Sequence, residues 1–365
     1  LVTWSEIAIN VGLVFGFSTG LFLAPMDDDK EWRVMFLLGG ILPLVMIVLA
    51  LTVMPESPRW LVAKNRIQEA KCVLQQTYPP GYDVDAIVAD IEDALERERE
   101  AEQRIGWGVI LHPTPAFQRM LFVGIGTAVS QQFVGIDAIQ YYLIDVIAQS
   151  GIDTREKQSL VLVFLGLLKL AFVVVGGKLF DRYGRRPLLF TSLLGMAVAL
   201  LIVSFSFLGS SKLSTGFTMF GLSLYLAFFS IGMGPGAWLL PSEVFANCIR
   251  GKAMSIAAFL NRVAATIMAS TFLSTAEAIG WSGFFLLLAI ASVTVFGVMY
   301  VYLPETKGRS IEDMSRYFAE ITNDTSVLEA EARIRRRQEY ASDKEEMEMT
   351  ETQGRSSAPS PCVVT

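Results

Sequence analysis

Eight apolar stretches, near residues 4–24, 33–54, 118–147, 158–180, 187–208, 217–240, 253–277 and 281–303, dominate the chain. A bilayer core about 30 Å thick needs roughly 20 apolar residues per helix, and in lipid every backbone polar group must be bonded within its own segment. The pattern predicts an all-α membrane protein with eight transmembrane helices. The charges agree with this. Of 66 Asp, Glu, Lys and Arg residues, 18 lie between Pro55 and Phe117 and 22 between Pro304 and Thr365, leaving 26 for the other 240 positions. A soluble surface needs more, since about a quarter of an ordinary chain is charged. A large soluble enzyme is excluded, and so is a nucleic-acid binder, the net charge being -6 and the pI about 5.1.

Short loops rich in Lys and Arg mark the cytoplasmic side. Arg59, Lys64, Arg66 and Lys71 follow the second stretch, Arg182, Arg185 and Arg186 the fourth, Arg250 and Lys252 the sixth, and Lys307 and Arg309 the eighth. The chain divides into a first helical pair (1–54), a cytoplasmic helical insert (55–117), a six-helix region (118–303) and a cytoplasmic tail (304–365). Within the insert, Ile87, Val88, Ile91 and Leu95 give residues 83–104 one apolar helical face, expected to lie against the underside of the bundle. The tail, with Arg333, Arg335, Arg336 and Arg337 among glutamates, is expected to be helical at first and then disordered.

Charges at membrane depth cost about 2.5 to 3.5 kcal/mol at a helix centre and need a reason. Lys169 lies mid-span, about 11 residues or ~16 Å from either end, too deep to snorkel. Its natural partner is Asp137 in the preceding span. Such a pair either fixes helix register or forms a polar wall for a hydroxylated solute or a proton. Gln131, Gln132 and Gln140 share Asp137's span; on a continuous helix Gln132 and Gln140 share a face while Asp137 lies about 140° from Gln132. Gly234, Pro235 and Gly236 break the sixth span, as membrane helices do where backbone lines a cavity or is covered by protein. Trp238 beside the break offers a flat face to a sugar ring, or belongs to an interfacial belt. Asn261 is a hydrogen-bonding candidate about three turns inside the seventh span, and Arg262 beside it is either functional or structural. Cys72, Cys248, Cys362 and the lone His112 form no metal set or disulfide framework, and no cofactor motif is present. His112 reads as a solvated loop residue.

Five segments in order resemble the sugar porter family of the major facilitator superfamily: PESPRWL (Pro55 to Leu61), QQFVGIDAIQYY (Gln131 to Tyr142), DRYGRRP (Asp181 to Pro187), GPGAWLLPSEVF (Gly234 to Phe245) and PETKGRS (Pro304 to Ser310). The resemblance covers residues 1 to about 318. It implies a twelve-helix fold in two halves, of which the eight spans here match helices five to twelve, residues 1–54 being the last two helices of the N-terminal half. By this likeness the chain is expected to be truncated at its N-terminus. The resemblance further implies that Gln131, Gln132, Trp238 and Asn261 line a sugar site. Asp137 and Lys169 stand where hexose carriers usually have Asn, as in the polyol and inositol branch, which also resembles this chain in its Asn261-Arg262 pair and its EIAINVGLVFGF opening. Ser230 departs from carriers with Glu at that place.

The expected function is transmembrane transport of a monosaccharide or polyol by alternating access, as proton symport across the plasma membrane, with the solute, the proton and the lipid bilayer as partners. The substrate-binding set is Gln131, Gln132, Asp137, Lys169, Trp238 and Asn261. Arg182, Arg185 and Arg186 are expected to pair with Glu243 and with Glu56 or Glu305 as an inner gate, since pairs worth about 0 to 1 kcal/mol can break in every cycle. Two other readings stand beside this one: a membrane sensor that binds the solute and signals through its tail, and a fragment that does not transport.

Overall fold

A computed structural model describes residues 2–23, 28–79, 81–104, 107–208 and 212–332. The four tail arginines from Arg333 to Arg337, and the disorder expected after them, lie outside the described residues. No strand occurs among the described residues. In order, the helices are α1 (Val2–Leu23), α2 (Asp28–Thr52), α3 (Pro58–Ala63), α4 (Ile67–Thr77), α5 (Val84–Arg104), α6 (Gly108–Leu111), α7 (Pro115–Phe133), α8 (Ile136–Tyr141), α9 (Leu143–Gln149), α10 (Arg155–Tyr183), α11 (Arg185–Ser206) and α12 (Lys212–Phe228). A π-helical turn (Phe229–Met233) leads into α13 (Gly234–Val244), followed by α14 (Arg250–Tyr302) and α15 (Ile311–Thr322).

Seven helices among the described residues are long and apolar enough to cross a membrane. The sequence predicts eight such spans, and the difference lies in α14, whose 53 residues contain both of the last two stretches. A straight helix of that length would extend about 80 Å, well over twice the hydrocarbon core. Gly280 interrupts it at φ 76°, ψ 155°. Phe272 and Phe284, on opposite sides of that glycine, have ring centroids 4.6 Å apart. Twelve residues of continuous helix would separate them by about 18 Å, so the chain turns back at Gly280 and α14 is two limbs.

The chain forms two compact units, Leu1–Leu49 with Gln118–Tyr317, and Ala50–Phe117 with Phe318–Thr365. In the first, α1 lies along α10, and α11 packs on α12 and α14. Close approach of α1 and α10 occurs at Gly166, where an added Cβ would lie 3.1 Å from Phe17 and 3.2 Å from Val14. No residue in the α2 span Trp32–Thr52 is buried within the chain. An all-round apolar helix of this kind suits a lipid environment or one of further helices.

The second unit has its own small core. Leu61, Val62, Ala70, Leu74 and Val88 are buried, with Ile67, Val73, Val84, Ile87, Ile91 and Leu95 packed against them. The apolar face of α5, expected to lie under the bundle, therefore rests on α3 and α4. Lys71 and Asp85 tie α4 to the start of α5 at 2.5 Å. Asp324 joins the tail to the insert by accepting the Ala116 N–H at 3.1 Å.

Candidate functional site

The site is built on a broken helix. Gln131 and Gln132 occupy the last turn of α7, and the helix then stops at Gly135, whose φ of 86° lies in the left-handed region. A Cβ there would also come within 2.9 Å of Leu288. The break frees backbone groups inside a buried region, and two of them find partners close by: the Val134 carbonyl accepts the Tyr225 hydroxyl at 2.9 Å, and the Gly135 N–H donates to the Gln132 carbonyl at 2.9 Å. The chain resumes as α8, turned relative to α7. Asp137 is thereby carried back toward Gln132, whose Nε2 donates to Asp137 Oδ2 at 3.1 Å. The 140° separation expected of a continuous helix does not apply.

Asn261, fully buried on the first limb of α14, is the hub. Its Nδ2 donates to the Ala128 carbonyl at 2.6 Å and to Gln131 Oε1 at 3.3 Å. Its Oδ1 accepts from Gln132 Nε2 at 3.3 Å and from Arg262 Nε and Nη2 at 3.0 and 2.6 Å. Arg262 Nη1 lies 3.4 Å from Asp137 Oδ2. Gln131 Nε2 reaches across to the Gly234 carbonyl at 3.3 Å. Because Gln132 Nε2 faces two oxygens, the amide cannot be turned over, and Oε1 is left buried with no partner among the described residues.

Lys169 is not the ion-pair partner of Asp137. The partner is Arg262, because the Gly135 break turns Asp137 toward Gln132 and α14. Lys169 is nonetheless buried, with its ammonium 5.6 Å from the Phe229 ring centroid and both Asp137 and Glu6 within electrostatic reach. Glu6 on α1 is absent from the residues singled out by sequence. Its signal was present, as an acid in the first apolar stretch. Trp238 is half-buried on α13, and its indole makes no hydrogen bond among the described residues. Gln140 does not join the network; it lines a separate cavity of about 580 Å³ with Gly16, Trp32 and Gln158.

The expected break at Gly234 to Gly236 takes the form of the π turn, with Pro235 in the first turn of α13, where its missing N–H does least harm. Ser192 secures this segment, donating to the Phe228 carbonyl at 2.7 Å and accepting the Met233 N–H at 3.1 Å. Gly232 is required by the approach of α11, since a Cβ would lie 2.7 Å from the Leu188 carbonyl oxygen. Ser230, on the π turn, is buried and donates to the Leu226 carbonyl at 2.7 Å.

At the α13 C-terminus, Glu243 receives Arg185 through Nε at 3.2 Å to both carboxylate oxygens and through Nη2 at 2.9 Å to Oε1, and Thr306 donates to Oε2 at 2.5 Å. Glu305 does not pair with the arginine side chains. It caps α11, accepting the backbone N–H groups of Arg185 and Arg186 at 3.0 Å each, and it also accepts that of Lys307 at 3.0 Å. Burial pushes the Glu305 carboxyl up, but these backbone donors outweigh burial and hold it below its ordinary value. Arg186 donates to the Tyr300 carbonyl at 2.7 Å, and the Arg182 guanidinium rests over Tyr183 while its carbonyl accepts Lys307 Nζ at 2.7 Å. Glu56 belongs to the other unit.

The model of the family described as sugar (and other) transporter matches residues 1–318. The chain belongs to this family. It is 36% identical over 344 residues to the probable polyol transporter 4 of Arabidopsis thaliana, across 93% of this chain and 65% of that protein. It is 32% identical over 323 residues to the major myo-inositol transporter IolT of Bacillus subtilis, across 87% of this chain and 67% of that one. Among solved structures, the inward-open xylose transporter XylE from E. coli superimposes with a TM-score of 0.69 at 26% identity, over 86% of this chain and 64% of that chain. The proton:xylose symporter XylE bound to 6-bromo-6-deoxy-D-glucose gives 0.67 at 25% identity, over 87% of this chain and 66% of that one. The chain thus spans about two thirds of the length of these proteins. The fold is the all-helical major facilitator fold of a multi-pass membrane protein, and the relatives are transporters, not enzymes.

Proposed function

We propose that the protein carries a polyol or a monosaccharide across the plasma membrane by alternating access, coupled to a proton. In this reading the two limbs of α14 are separate crossings, giving eight that correspond to helices five to twelve of a twelve-helix carrier. Gln131, Gln132, Asp137, Lys169, Trp238 and Asn261 bind the solute, and Arg262 holds Asp137 and Asn261 in place. The observation that carries the proposal is the network of the buried Gln131, Gln132 and Asn261 amides with the Asp137 carboxylate, closed on its outer side by the exposed Arg262 guanidinium, in which Gln132 Oε1 is left unpartnered among the described residues. A buried orphan acceptor costs about 1 to 3 kcal/mol and is relieved by a hydroxyl donor. A polyol supplies several. The names of the relatives, polyol, inositol and xylose transporters, support the same substrate class.

Asp137 and Glu6 are the acids beside the buried Lys169, and an acid in such a setting can take up and release a proton as the solute binds and leaves. Arg185 and Glu243 close the cytoplasmic side and part when it opens. The test is uptake of radiolabelled sorbitol, inositol and glucose into proteoliposomes under an imposed pH gradient. Accumulation of at least one solute that disappears when the gradient is collapsed is the expected result. Uptake insensitive to the gradient refutes symport, and no uptake of any of the three refutes the substrate class.

A further inference from the structure

Gln132 is not the only buried acceptor without a partner in the bundle. Asn10, on α1, is 1% exposed, and its Oδ1 also has none among the described residues. The amide is fixed, because Nδ2 donates to the Glu6 carbonyl at 2.7 Å. The oxygen is therefore the atom left over, at a place where a leucine would carry no such cost.

The position of Asn10 gives the orphan a context. Asn10, Val14 and Phe17 follow at spacings of four and three residues, so they share one face of α1, and that face meets α10 at Gly166. Lys169 is three residues beyond Gly166, on the same face of α10. Its ammonium has three donors and makes no hydrogen bond among the described residues. Facing stripes of two helices thus hold an unused acceptor and unused donors. A hydroxyl group can both donate and accept, and one hydroxyl can serve both.

We propose that Asn10 is a further substrate-binding residue, whose Oδ1 accepts a hydrogen bond from one hydroxyl of the polyol while Lys169 donates to that hydroxyl, so that the site extends onto α1. The inference rests on the polyol reading above.

The test is equilibrium binding to the purified protein of sorbitol and of the series of monodeoxy sorbitols, each lacking one hydroxyl. The native protein is expected to bind one or more analogues roughly three- to tenfold more weakly than sorbitol. In Asn10→Leu, and in the less bulky Asn10→Ala, that discrimination disappears at one hydroxyl position and persists at the others. Asn10→Asp, which keeps an acceptor, retains it. Equal discrimination at every position in the native protein and both acceptor-less variants overturns the inference while leaving the polyol reading intact. So does a uniform loss across the series, which marks a packing role. Failure of the native protein to bind any polyol overturns both.

Discussion

Replacing Glu243 by alanine removes the acceptor of three Arg185 contacts at 2.9 to 3.2 Å and of the Thr306 hydroxyl. The magnitude follows from burial. Exposed pairs contribute about 0 to 1 kcal/mol, whereas breaking a fully buried pair costs about 3 to 5 kcal/mol. The Arg185 and Glu243 side chains are 16% and 25% exposed, between those limits. A loss of about 2 kcal/mol corresponds to roughly a thirtyfold shift toward the cytoplasm-open state. Cys248, just beyond α13, is a native reporter when Cys72 and Cys362 are replaced by serine. The expected outcome is alkylation of Cys248 from the cytoplasmic side about thirtyfold faster in Glu243→Ala. Arg185→Ala should match it, and the double variant should add little to either, because both changes remove the same interaction. An unchanged alkylation rate in both single variants, or fully additive effects, would refute the role of this pair as the inner closure.

Gly135→Ala is expected to destabilise by at least about 1 to 2 kcal/mol from its positive φ alone, and Leu288→Ala in the same chain should relieve only the steric part; thermal unfolding with sorbitol binding measures both. Asp137→Asn should reduce proton-driven uptake at least tenfold while costing under about 1 kcal/mol of stability, since Arg262 is 58% exposed; a collapse of the melting temperature would mark Asp137 as structural. The Asp324 carboxyl is pushed up by burial but held down to about 2 by the N–H groups of Ala116 and Ser326 and the hydroxyls of Thr114 and Ser326. Its contribution is then complete above its unfolded value of 3.8 and is lost as pH falls toward 2, so Asp324→Asn should weaken the insert and tail unit at pH 6 and make no difference near pH 2 in thermal melts.

The spans were legible because lipid imposes a length and a composition that no other environment does, and the hairpin at Gly280 follows from the same length argument. Gln131, Gln132, Asp137 and Asn261 were also legible as polar residues at depth, and the structure joins all four. What helical periodicity could not supply was their mutual arrangement. A single left-handed glycine at position 135 redirects Asp137 and so transfers its ion pair from Lys169 to Arg262. Glu305 departs from the sequence expectation for a related reason. A carboxylate near arginines suggests side-chain pairing, but Arg185 and Arg186, in the first turn of α11, present their backbone N–H groups to it first. For α5, amphipathicity showed that one face must be covered, and only the fold shows that α3 and α4 cover it.

The π turn at Phe229–Met233 has a mechanical consequence. A π turn accommodates one residue more than the α-helix would, which advances everything after it by about 100° around the axis. The Gly234 carbonyl, held by Gln131, and the Glu243 carboxylate, held by Arg185, are nine residues apart on α13, or about 14 Å along one helix that has Pro241 in its interior. A softer joint stands at the upstream end of α13. Any rotation that solute binding imposes on the joint passes along α13 to the cytoplasmic clamp through the turn at Pro241, where one backbone bond is missing, and excision of a single residue, such as Ile231, would rotate the clamp out of register with the site it serves.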